Sequence, residues 1–148
     1  MFQRLFLTIV FAFLALAATG CSTTRSTAQA QDSANPAQVM YPVSAEKADS
    51  ILIQAMNAQF PNASIVRVEL PYKGYFLTQR LLLDSHDFTA RMIPAKGIGD
   101  AGKVVDGYTF EVIDQGTTIM IGKIRASSLF DKILENANRE AKPLPSIQ

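Results

Sequence analysis

The chain has 148 residues, with 14 Lys and Arg against 13 Asp and Glu, a formal net charge of +1 and a single cysteine. That near-balance offers neither a basic stripe for nucleic acid nor an electrostatic pull towards a membrane, and one cysteine excludes an internal disulfide or a thiolate cluster. The length accommodates one domain with a leader and a tail, and the 48% hydrophobic content supplies a core.

The first element is Met1 to Cys21. Arg4 precedes the run from Leu5 to Ala18, in which Thr8 is the only polar residue, and the small residues Ala17 to Gly20 lead into Cys21. A run of 14 residues is shorter than the ~20 that span a bilayer, so residues 1–20 read as a signal peptide to be removed. Ala18-Thr19-Gly20-Cys21 resembles the lipobox of bacterial lipoproteins, with Ala18 where that pattern usually has leucine. The resemblance implies cleavage between Gly20 and Cys21, a thioether-linked diacylglycerol on Cys21 and, on the new amino group, a further acyl chain such as palmitate. In proteobacterial lipoproteins an aspartate after the cysteine favours retention in the inner membrane. Ser22 in that place implies the outer membrane, facing the periplasm. Two or more acyl chains anchor stably where one binds only marginally. The lipid bilayer is therefore the first expected partner, through Cys21, and no other cofactor is expected.

Residues 21–43 form the acylated start and a tether. Ser, Thr, Ala, Gln and Pro dominate 22–42, with no apolar period before Val39, a composition that predicts a flexible segment holding the domain about 25 Å from the bilayer. The folded domain is expected over 44–148. Ser44 reads as an N-cap, and Ala48, Ile51, Leu52, Ala55, Met56 and Phe60 recur at helical spacing before Pro61, predicting an amphipathic helix over 45–60. Its opposite face, with Glu46, Lys47, Asp49, Gln54 and Asn57, is of mixed charge, which favours burial against a sheet over insertion in a membrane.

Five strands are predicted next. Residues 65–70 alternate Val66, Val68 and Leu70 with Arg67 and Glu69. The run 75–83 follows Pro71 and Gly74, and Asp84 to Asp87 reads as a hairpin turn into the strand 88–93. Residues 108–113 and 117–125 flank Asp114-Gln115-Gly116, which reads as a three-residue hairpin loop. A second helix is expected from the Ser127-Ser128 cap, with Phe130, Ile133, Leu134, Ala137 and Ala141 on its stripe, ended by Pro143 and Pro145. The expected fold is α+β: an antiparallel sheet of about five strands, with the N-terminal and C-terminal helices packed on one face.

Catalytic and nucleotide motifs are weak. Gly97 to Lys103 matches the G-x-G-x-x-G pattern and most of a P-loop, yet Val104 stands where a P-loop needs a hydroxyl, and no helix follows to offer its N–H groups to phosphate. Residues 97–107 are expected to be a mobile loop without nucleotide. His86, the sole histidine, is expected in a solvated turn, without partners for a metal site. Tyr72, Tyr75 and Phe76 around Gly74, with Tyr41, are the candidates for a peptide, glycan or lipid groove. The expected function is therefore non-enzymatic: an accessory protein of the cell envelope that binds a partner protein there and no nucleic acid. One rival is a carrier with a closed apolar cavity lined by Leu77, Leu81, Phe88 and Phe110; another is an envelope hydrolase using His86 or an acidic pair.

Overall fold

A computed structural model describes residues 23–26, 39–69, 71–80, 85–115 and 119–147. Cys21 and the residues before it lie outside that set. The chain order is β1 (Thr23–Ser26), β2 (Val39–Met40), α1 (Ala45–Gln59), β3 (Ser64–Val68), β4 (Gly74–Arg80), β5 (Ser85–Ile98), β6 (Val104–Asp114), α2 (Ile119–Glu140) and β7 (Leu144–Ile147). The main sheet runs β1-β6-β5-β4-β3, with all neighbours antiparallel. The fold is α+β, as expected.

Helix α1 follows from its sequence. The Ser44 hydroxyl accepts the Lys47 N–H at 3.2 Å, and Ala48, Ile51, Leu52, Ala55 and Met56 are buried. They pack on the sheet face that carries Tyr75 and Leu77 of β4, Phe88, Ala90 and Met92 of β5, and Phe110 and Val112 of β6. Phe60, beyond the helix end, stacks on Phe88 with ring centroids 5.3 Å apart. The stripe Ala126, Leu129, Phe130, Ile133 and Ala137 of α2 completes this core.

Four differences from the sequence reading matter. First, residues 119–125 are helix, and Ser127 and Ser128 lie inside α2 rather than at its cap. An apolar run of this kind fits a buried helix as well as a strand, and the stripe continuing to Ala137 decides it. The fifth strand of the sheet is β1, which lies within the stretch read as tether. Second, Val39 and Met40 pair with β7, while Met40 and Tyr41 are fully buried. Third, β5 and β6 are longer than their hydrophobic cores, so residues 97–107 are mostly strand and the turn is confined to 99–103. Fourth, Ser85 to Asp87 belong to β5, which makes His86 a strand residue.

Beyond Met92 and Phe110, β5 and β6 extend as an arm past the start of α1. β7 joins β5 at Lys96 and Gly97, β2 joins β7, and Tyr41 returns to Tyr108 of β6 through two backbone hydrogen bonds of 2.8 and 2.9 Å. The arm is thus closed on itself around Met40. Pro94 sits within it without breaking the ladder. Met92 donates its N–H towards the β4 side, to the Lys73 carbonyl, so the N–H that Pro94 lacks would point into the gap between β4 and β7.

Candidate functional site

The arm carries the core face of the sheet out from under the helices. The pairs Met92–Phe110, Pro94–Tyr108 and Lys96–Asp106 follow one another on that face. The first is covered by helix; the next two are not. A cleft of about 790 Å³ opens there, with Pro94, Ala95, Lys96, Asp106 and Tyr108 as its floor and Pro42 to Ala45 and Ile147 as its walls. A second cleft of about 280 Å³, between Tyr72, Lys73, Pro71 and Met92, shares Ala45, Pro94 and Tyr108 with the first. The two form one groove around the start of α1.

The groove is lined by proline, aromatic and aliphatic side chains, with charge at its ends. Lys96 Nζ stands 2.8 Å from Asp106 at one end, and both side chains are largely exposed. At the other end lie Lys73 and Glu69, with Tyr72 stacked beneath the Arg91 guanidinium, 5.7 Å from the ring centroid. Arg91 is also paired with Glu111. Rings and prolines flanked by charges suit an extended chain or a flat apolar ligand held by contact area and oriented at its ends. Glu46, in the first turn of α1, has its carboxyl held below the usual range by its own backbone N–H and by Ser44.

The aromatic cluster read from the sequence is divided by the fold. Only Tyr72 reaches the groove. Tyr41 is core, its hydroxyl donating to Asn138 at 3.1 Å, and burial pushes its pKa up. Tyr75 donates to Asp49 at 2.9 Å, and burial followed by that acceptor raises its pKa. Phe76 faces the opposite side of the sheet. Pro94, Tyr108 and Ile147 are groove residues that the sequence did not mark. A proline inside a β-patterned run was the available signal, since it marks where pairing or cover ends.

His86 is 1% exposed, not in a solvated turn. It shares the core face with Phe88, its ring 6.2 Å from that ring, and lines neither cleft. Asp114, also buried, stands opposite Phe88 on the same face. Among the described residues no three His, Cys, Asp or Glu gather as metal ligands. Leu77, Phe88 and Phe110 are wholly buried in the packed core and line neither cleft; Leu81 lies outside the described residues. The glycine pattern is structural: Gly97 is a strand residue beneath Met40, and Gly99 to Lys103 turn the hairpin with Ala101 and Gly102 at positive φ. Among the described residues no helix is long and apolar enough to cross a membrane.

Comparison with protein-family models, with curated proteins and with solved structures finds no match.

Proposed function

We propose that the chain is a lipid-anchored protein of the bacterial cell envelope, held by acyl chains on Cys21 at the periplasmic face of the outer membrane, and that it acts there as a non-enzymatic binding protein. One observation carries the anchor: the Arg4-led apolar run, too short to span, ends on Ala18-Thr19-Gly20-Cys21. The groove around Tyr72, Pro94 and Tyr108 supports the second half of the reading. It offers a partner contact area and end charges on rigid strands and a capped helix.

Metabolic labelling with a fatty acid tests the anchor. The wild-type chain is expected to take label and Cys21→Ser to lose it together with cleavage at Gly20; label that persists in the variant overturns the assignment. For the groove, a photo-crosslinking residue at Tyr72 is expected to capture one envelope protein in intact cells. The same probe at Asn57, on the exposed side of α1, is expected to leave it uncaptured. Equal capture at both positions refutes the groove as the binding surface.

A further inference from the structure

We infer that the end of the sheet carrying Thr23, Arg80 and the first turns of α2 lies on the bilayer, with Ile124 seated in its interfacial region, and that the groove faces away from the membrane. This deepens the proposed function and rests on acylation of Cys21.

Thr23 pairs with Asp114, the last residue of β6, and Cys21 is two residues before Thr23 in the sequence, so the length of the chain alone limits the separation of the anchor from Thr23 to about 7 Å. A free tether of 21 residues would have set the domain at about 25 Å. Measured along β6, Tyr108 and Val104 lie about 20 and 33 Å from Asp114, at roughly 3.3 Å per residue. The groove and the hairpin tip are therefore at the far end of the molecule from the anchor.

Helix α2 begins at the anchored end. Arg125 donates to Gln79, which stands opposite His86, whereas Asn138, near the helix's last turn, accepts from Tyr41 beside Tyr108. Just before Arg125 stands Ile124, 67% exposed and the most exposed large apolar side chain among the described residues. Arg80 closes β4 at the same end and is exposed. An exposed isoleucine beside an acyl anchor gains by entering the headgroup and acyl boundary, while the exposed Arg80 keeps its charged head in the wet layer. Ile98, Val104 and Ile147 form the other exposed apolar cluster, at the hairpin tip. With β1 paired they cannot reach the same bilayer, so they are left for a partner on the periplasmic side.

Cys21 is the only cysteine and its sulfur is consumed by the thioether, so Ile124→Cys and Ile98→Cys give single labelling sites in the full acylated chain. Each variant, carrying a polarity-sensitive fluorophore, is reconstituted into vesicles of phosphatidylethanolamine and phosphatidylglycerol containing brominated lipid. A blue shift and quenching are expected at position 124, with neither at 98. Intact mass on the same samples reports acylation separately: absence of acyl mass overturns the anchor itself. Acylated protein in which 124 is as unquenched as 98, or in which 98 is quenched, overturns the orientation. A double variant, Thr24→Pro with Arg25→Pro, removes β1 from the β6 ladder. It is expected to keep its acyl mass and lose quenching at 124, and unchanged quenching would refute the role given to β1.

Discussion

Met40 shows how one side chain can tie a distant segment to the fold. It is fully buried, and any Cβ on Gly97 would come within 2.8 Å of its sulfur, while one on Gly107 would overlap its methyl and the Tyr41 carbonyl. Both glycines exist because Met40 and the Tyr41 backbone lie against them. Met40→Ala is expected to cost about 2 to 5 kcal/mol in urea unfolding, the range for emptying a packed core site; a residue in a free tether would cost nothing measurable. At the hairpin tip the reverse holds. Ala101 has φ of 57°, where an L side chain costs about 1 to 2 kcal/mol. Glycine gives back about 0.5 to 1 kcal/mol of that as chain entropy. Ala101→Gly should therefore raise stability by about 0.5 to 1 kcal/mol in the same assay. Tyr75 and Tyr41 set an alkaline limit. Both phenols have pKa values raised above the ordinary 10.0, so the folded state binds their protons more tightly than the unfolded chain does. Their contribution is complete below pH 10.0 and is lost as pH rises through the folded values. Tyr75→Phe is expected to lose about 0.5 to 1.5 kcal/mol near neutrality with its hydrogen bond to Asp49, and to show a shallower alkaline decline in unfolding titrations.

At the scale of elements, α1 and α2 are opposite cases. The cap, the stripe and the terminating Pro61 of α1 all lie within one stretch of sequence, and the helix spans Ala45–Gln59 as those signals dictate. Ser44→Ala should cost about 1 kcal/mol by thermal unfolding, because the Lys47 N–H would lose its acceptor. In α2 the run 119–125 is rich in isoleucine and interrupted by Gly122, a local pattern that suits a strand as well as a helix, so its helical state is decided by the stripe that continues from Ala126 to Ala137. The same division explains the strands. In β3 the alternating Val66 and Val68 lie on the face away from the core, with Val66 exposed and Ile65 packed inward, while the centres of β5 and β6 alternate because one face meets the helices. β2 and β7 do not, because each is short and held by a partner about a hundred residues away: Val39 opposite Pro145 and Met40 opposite Leu144. Long-range pairing leaves no local period to read. The groove was hidden for the same reason, since Ala45, Pro94 and Tyr108 are distant in sequence and meet only when the arm passes the start of α1. Tyr72 was legible as an aromatic beside a turn, though its companions Tyr41 and Tyr75 belong to the core.

For the whole molecule, the consequence is that the segments at either end of the folded region brace its most distal part. β7 pairs with Lys96 and Gly97 of β5 on one side and with β2 on the other, and Tyr41 carries β2 back to Tyr108. Remove β7 and the β5 edge at Lys96 loses its partner, Met40 loses one wall, and Ile147 no longer bounds the groove. The helix-covered part of the sheet keeps every contact, because Phe88, Ala90, Phe110 and Val112 are packed by α1 and α2 and by their own ladders. Elements joined by few buried contacts open independently of the rest. Ending the chain at Pro143 is therefore expected to speed amide hydrogen exchange in residues 95–98 and 104–107 towards loop rates, while residues 88–92 and 110–114 keep their protection. Loss of protection across both sets would mean that arm and core unfold as one unit. Unchanged exchange in the arm would mean that the hairpin stands without its brace, and that the groove is rigid by its own strands alone.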